Sequence, residues 1–242
     1  INPVEAHIAS VFSNIVDDVI IAKNQYGAVY WPAFSLNSIG DLTIGWGYQV
    51  KMSNDALLSV SGSLVPSDSN IDLSIGWSIL GYLNTDAADV SDMMYPIVDD
   101  MVIMKDENGN VYWPAFELNN IGNMNPGQGY QIKIDSDVTF AYSSGSGRLA
   151  YVEPIRTVHY EVSPNTGSNM TIGLPATAWE VIPAIGDEIA AYDESGRLIG
   201  STSFTGDHIA LTVWGDDLTT DAKDGLAIGE QVTFKLWNSD MN

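Results

Sequence analysis

Val29-Tyr30-Trp31-Pro32-Ala33-Phe34 occurs a second time as Val111-Tyr112-Trp113-Pro114-Ala115-Phe116, every residue identical and 82 positions further on. The match runs outward in both directions. Ile15-Val16-Asp17-Asp18 returns as Ile97-Val98-Asp99-Asp100, Leu36-Asn37 as Leu118-Asn119, and Gly47-Tyr48-Gln49 as Gly129-Tyr130-Gln131. No insertion breaks the register, so the unit is a duplicated structural module.

Working outward from the motif, Ile8, Val11, Phe12 and Ile15 fall at the spacing of one apolar helix face and predict a helix over Pro3–Ile15. Their counterparts Val90, Met93, Met94 and Ile97 keep the stripe. Val19–Lys23 and Val29–Phe34 predict a hairpin, and Asn108-Gly109 supplies the positive φ of a tight turn in the second copy. Pro32 and Pro114 lack a backbone donor, so the motif strand ends there or lies at an edge. Gly47–Met52 and Leu57–Leu64 read as a further antiparallel pair. After the polar linker Ser67–Asn70, Gly76–Tyr82 reads as the opening strand of copy two.

The register ends after Tyr142, and Ser143–Gly147 has the composition of a flexible linker. Beyond it, Val158–Val162, Met170–Leu174, Glu188–Tyr192, Leu198–Ser203, His208–Val213 and Gln231–Trp237 read as short strands, with Ser195-Gly196 as a hairpin tip. The expected fold is therefore mainly β. Two tandem small α+β repeats, 1–66 and 67–146, precede an antiparallel β-sandwich over 147–242, which reads as incomplete at its far end. In the same register, copy one's opening strand would stand ahead of Ile1. Either it belongs to preceding chain, or another segment or subunit donates it. The second option would join subunits by strand addition and build a fibre if contacts ran head to tail.

Thirty-one acidic residues against nine basic ones leave a formal net charge of −22. Such a field repels phosphate backbones and anionic lipid, so nucleic acid is not an expected partner. No apolar run approaches the roughly 18 residues that a spanning helix needs, so membrane insertion is not expected either. Cysteine is absent, which removes disulfide and thiolate chemistry.

Two groups of residues are candidates for function. Tyr30, Trp31, Tyr112 and Trp113, with Phe34, Phe116, Tyr48 and Tyr130 nearby in sequence, would serve either as each module's core or as a stacking platform for extracellular glycans. Asp216, Asp217, Asp221 and Asp224 concentrate oxygen ligands in a glycine-bearing loop. They make Ca²⁺ the candidate ion, against the alternative of an acidic turn that caps backbone donors. The adjacent pairs Asp17-Asp18 and Asp99-Asp100 read as turn caps, because neighbouring strand residues point to opposite faces. No nucleophile elbow, phosphate loop or His-Glu-x-x-His helix is present, so the chain is expected not to be an enzyme.

The run Gly76-Trp77-Ser78-Ile79-Leu80-Gly81-Tyr82, then Asp106-Glu107-Asn108-Gly109-Asn110-Val111-Tyr112-Trp113-Pro114, then Gly127-Gln128-Gly129-Tyr130-Gln131-Ile132-Lys133 resembles modules of large secreted bacterial surface proteins of the type IX secretion class. The last third is similar to a β-rich module of the same class through Asn169-Met170-Thr171, Pro183–Ala191, Trp214–Asp217 and Asp224-Gly225. The resemblance implies a non-catalytic structural or adhesive segment of a larger exported protein, extracellular or at the cell surface. The rival it leaves open is a carbohydrate-binding accessory region of a secreted polysaccharide-active enzyme.

Overall fold

The structure is a computed structural model that describes residues 1–142, 149–161 and 165–241. The predicted linker Ser143–Gly147 lies outside the described residues. Copy one supplies β1 (Asn2–Pro3), α1 (Ile8–Val11), β2 (Val19–Lys23), β3 (Val29–Trp31), β4 (Leu36–Asn37), β5 (Gln49–Met52) and β6 (Gly62–Ser63). After β7 (Ile71–Leu73) and β8 (Gly76–Gly81) come β9 (Ala88–Asp89), α2 (Val90–Met94), β10 (Met101–Lys105), β11 (Val111–Trp113), β12 (Leu118–Asn119), β13 (Asn123–Met124), β14 (Gly129–Ile134) and β15 (Val138–Phe140). The last third holds β16 (Asn169–Leu174), β17 (Glu188–Tyr192), β18 (Leu198–Ser203), β19 (Ile209–Trp214) and β20 (Thr233–Trp237). The chain is mainly β, in several antiparallel sheets, and its helices are short. No helix among the described residues is long and apolar enough to cross a membrane.

Two compact units form: Ile1–Asp106 with Asn123–Arg148, and Glu107–Gly122 with Leu149–Asn242. In the first, β4, β3, β2 and β5 make one sheet in that order, with a register shift between Val19 and Ile21. The same shift recurs 82 residues later, between Met101 and Ile103, where β10 pairs with β14. Beyond β14 lies β8, which also meets copy one, since Gly47 N–H donates to Ile79 O at 2.7 Å and Gly81 N–H to Gly45 O at 2.9 Å. β5, the counterpart of β14, ends its sheet, and no strand among the described residues takes β8's place beside it.

The apolar stripe of copy one is buried as the spacing predicts, but the helix is far shorter than Pro3–Ile15. Asn2–Pro3 is drawn into a strand against Gly62–Ser63 instead. After Val11 the chain closes by i to i−3 bonds, such as Ile15 N–H to Phe12 O and Asp18 N–H to Ile15 O. Ile8, Val11, Phe12 and Ile15 nevertheless pack with Val19, Ala22 and Tyr30 in one core. In copy two, Asp89 caps α2 through Ser91 N–H at 2.8 Å. Pro96, which has no N–H, then tightens the next turn to a 3₁₀ form over Tyr95–Ile97. Leu57–Leu64 is not the predicted strand. Only Gly62–Ser63 pairs, where the lack of a side chain on Gly62 admits Asn2 O to 2.1 Å from the position of a Cβ, and Leu57 and Leu64 stay exposed.

Lys105 differs from its counterpart Lys23. Lys23 is exposed, whereas Lys105 is buried with its ammonium 4.9 Å from the Trp77 ring centroid, and burial pushes its pKa down to about 8.

In the second unit, β16 pairs with β19, and β17 lies between β18 and β20. Ile189, Ala191, Ile199, Phe204, Ile209, Leu211 and Val213 form one core with Ile172 and Leu174 alongside, so side chains of both sheets meet as in a sandwich. Val158–Glu161 is not the predicted strand, and Val162 lies outside the described residues. The backbone N–H groups of Val158, His159 and Tyr160 instead turn onto the buried Glu188 carboxylate, at 2.5–3.0 Å. Asp187 beside it accepts from Ala184 N–H and from Ser239 N–H and hydroxyl, and Asp193 accepts from Lys223, Ser195 and Arg197.

Burial raises the pKa of all three acids, but their donors outweigh it and leave each below the ordinary carboxylate value. Their stabilisation is therefore complete above the unfolded value, about pH 4, and drains away as pH falls through the lower native values. The thermal midpoint of this unit is expected to be flat from about pH 7 to about pH 5 and to fall steeply below about pH 4. A Glu188→Gln variant should already be destabilised at neutral pH and show a shallower acid slope. A wild-type midpoint that stays level down to about pH 2 would refute this account.

Candidate functional site: the duplicated aromatic motif

The two copies of the motif share one backbone. In each, a three-residue strand ends at proline and passes into a 3₁₀ turn, Pro32–Phe34 or Pro114–Phe116. A non-glycine residue with positive φ follows, Ser35 at 53° and Glu117 at 52°. Asn37 Oδ1 then accepts from Gly40 N–H at 3.0 Å, and Asn119 Oδ1 from Gly122 N–H at the same distance. Identical residues thus make identical local structure.

Strand alternation assigns the aromatic faces. Tyr30 and Tyr112 point inward and are 7% and 2% exposed, so neither ring offers a face to a sugar. Trp31 and Trp113 point the other way and are half-buried. Of the four aromatics proposed as a glycan platform, the two tryptophans therefore stand on the outer face and the two tyrosines in the interior. Phe34 and Phe116 join the tryptophans there. The signal that separates them is in the sequence: adjacent residues of a strand cannot face the same way.

The surroundings of the outer face differ sharply between the copies. In copy two, the Trp113 and Phe116 ring centroids lie 4.2 Å apart at 35°, and both rings seat on Gly173 of β16. A Cβ at Gly173 would meet Phe116 Cε1 and Trp113 Cη2 at 2.9 Å, so the glycine is what lets the rings close on the strand. Phe116 also meets the His208 ring edge-on at 5.6 Å. Thr212 Oγ1 of β19 donates to Gly109 O at 2.8 Å. Asn119 Nδ2 donates to Leu149 O, and Asn120 Nδ2 to Val152 O. Ile172 and Leu174 turn to the sandwich core, so Gly173 and Thr212 belong to the opposite face of the β16–β19 sheet, and that face carries the motif.

Copy one has the same motif, and among the described residues no counterpart of Gly173 lies against its rings. Trp31 and Phe34 form an edge-to-face pair at 4.6 Å and 70°. Phe34 is 70% exposed and Leu36 46%, against 6% for its twin Leu118. Asn37 Nδ2, freed from the role of Asn119, bonds His7 Nε2 at 3.2 Å. Ser38 replaces Asn120, and its hydroxyl returns to Val29.

The acidic loop is closed upon itself. Asp216 accepts from the N–H groups of Asp224 and Gly225, Asp224 from that of Asp217, and Asp217 from Thr219. These contacts are those of the backbone-capping alternative; Asp221 stands exposed. Among the described residues no group of three or more acidic or histidine side chains is arranged to hold a metal ion. Set beside family models, curated proteins and solved structures, the chain finds no match in any of the three.

Proposed function

We propose that this chain is a non-catalytic structural and adhesive segment of a larger exported surface protein, working outside the cell and joining to copies of itself. The observation that carries the reading is the exposed Trp31–Phe34–Leu36 face, held on a rigid four-stranded sheet whose twin face is a packing surface. Aromatic rings on a rigid frame suit adhesion because little side-chain entropy is lost when they are covered. The resemblance to secreted surface modules supports the location.

Beads coated with the intact chain are expected to aggregate, and beads carrying Trp31→Ala/Phe34→Ala are expected to stay dispersed. Aggregation unaffected by that change would sink the reading. Retention of the beads on a polysaccharide surface, lost in Trp31→Ala, would favour the carbohydrate-binding rival instead. Turnover of polysaccharide or peptide substrates by the chain would overturn the non-catalytic part.

A further inference from the structure

We propose that the exposed motif of copy one is a docking site for the β16–β19 face of a second copy of this chain. It deepens the adhesive reading above and rests on it for its biological sense, but its physical basis is separate. The chain contains the same site twice, and one of the two is seen occupied. Trp113 and Phe116 close on Gly173 of the outer β16–β19 face, whose Thr212 hydroxyl reaches Gly109 O, while Leu118 is buried and Asn119 donates to Leu149 O, outside that sheet. Trp31, Phe34, Leu36 and Asn37 repeat those four residues on the same backbone, with the same 3₁₀ turn and a left-handed residue after it, Ser35 in place of Glu117. A surface that seats the ring pair of one copy therefore seats that of the other, although Ser38, Tyr26 and Ala28 stand where copy two has Asn120, Asn108 and Asn110, and Asn37 is bonded to His7.

The occupant follows from the chemistry. The ring pair needs a strand with a glycine where the rings land, since any side chain there would hold them off. It also needs a neighbouring strand with a hydroxyl that reaches the hairpin-turn carbonyl, Gly27 O in copy one as Gly109 O in copy two. The β16–β19 face of this chain supplies both. Within one molecule that face is already taken by copy two. A tethered partner acts at an effective concentration of the order of millimolar, so an outside copy competes poorly below that. Freeing the face should therefore switch association on. Each freed chain would carry one donor face and one acceptor motif, which is a head-to-tail arrangement that propagates unless it closes into a ring. The net charge of −22 opposes the approach of copies, so association should strengthen as salt rises.

The test uses the full chain. Trp113→Ala/Phe116→Ala takes the two rings of the intramolecular occupant off the Gly173 seat and changes no residue of the sandwich core. Sedimentation is expected to show oligomers whose mass grows with concentration. Adding Phe34→Ala, a change at an exposed residue, should weaken them at least about tenfold. A double variant that remains monomeric, or oligomers indifferent to Phe34→Ala, would overturn the proposal. Should the double variant lose its near-ultraviolet signature of folding, the unaltered chain decides instead. At about 1 mM in high salt it must form dimers that Phe34→Ala removes, and a monomer there refutes the docking. Bead aggregation that persists while these experiments fail would leave the adhesive reading standing with a different partner.

Discussion

Gly200→Ala is expected to cost the sandwich about 3–5 kcal/mol, enough to unfold a marginally stable unit. Gly200 lies in β18 where that strand runs close to β19. A Cβ built there would sit 2.1 Å from Thr212 O and 3.2 Å from Val213 Cα. Both obstacles are backbone, in a strand that already pairs with β16 over six residues, so neither can swing aside as a side-chain end would. The strands would have to part, and Ile199, Leu211 and Val213, all buried at 1% exposure or less, would lose contact with one another. Urea unfolding followed by circular dichroism measures the effect. A loss under about 1 kcal/mol would mean that the two strands are not held at this separation.

Tyr130→Ala is expected to cost the first unit about 3–5 kcal/mol, while the same change at its twin Tyr48 costs less than half as much. Tyr130 is 1% exposed, and its hydroxyl accepts from Asn125 N–H at 2.9 Å and donates to Gln128 Oε1 at 3.0 Å. Tyr48 repeats the backbone bond, taking Thr43 N–H at 2.8 Å, but its ring is only partly buried. The pair thus separates ring burial from the hydrogen bond inside a single molecule. Tyr130→Phe should cost about 1 kcal/mol, the share of the hydroxyl and of the donor it leaves unmet. Equal losses for Tyr130→Ala and Tyr48→Ala would show that burial does not set the difference.

These two positions mark where reading the sequence succeeds and where it stops. The strands of the sandwich were legible because alternating apolar residues bounded by Gly, Asn and Asp turns have one reading. Glu188–Tyr192 and Leu198–Ser203 are strands over the residues predicted. Val158–Val162 had the same local look, yet its described residues form no strand, because the buried Glu188 carboxylate needed its N–H groups. The helix over Pro3–Ile15 failed for a related reason. Its apolar stripe states which side chains are buried, and about one turn of helix followed by tight turns buries them as well as a long helix would. That carboxylates of the acidic loop cap backbone donors was one of two alternatives in the sequence, and the caps themselves, Asp224 N–H on Asp216 and Asp217 N–H on Asp224, are seen only in the structure.

By itself the sequence determined that this chain is mainly β, that it carries one motif twice, and that Tyr30 and Trp31 face opposite ways. Those facts depend only on the residue period and on the identity of the two copies. Tertiary structure alone decided that Phe116 and Leu118 are covered while Phe34 and Leu36 are not, and that the second motif belongs with the sandwich. Local conformation is a property of one segment, and identical segments share it. Burial is a property of two surfaces, and Gly173 and Thr212, which supply the second surface for one copy, lie far along the chain from either motif.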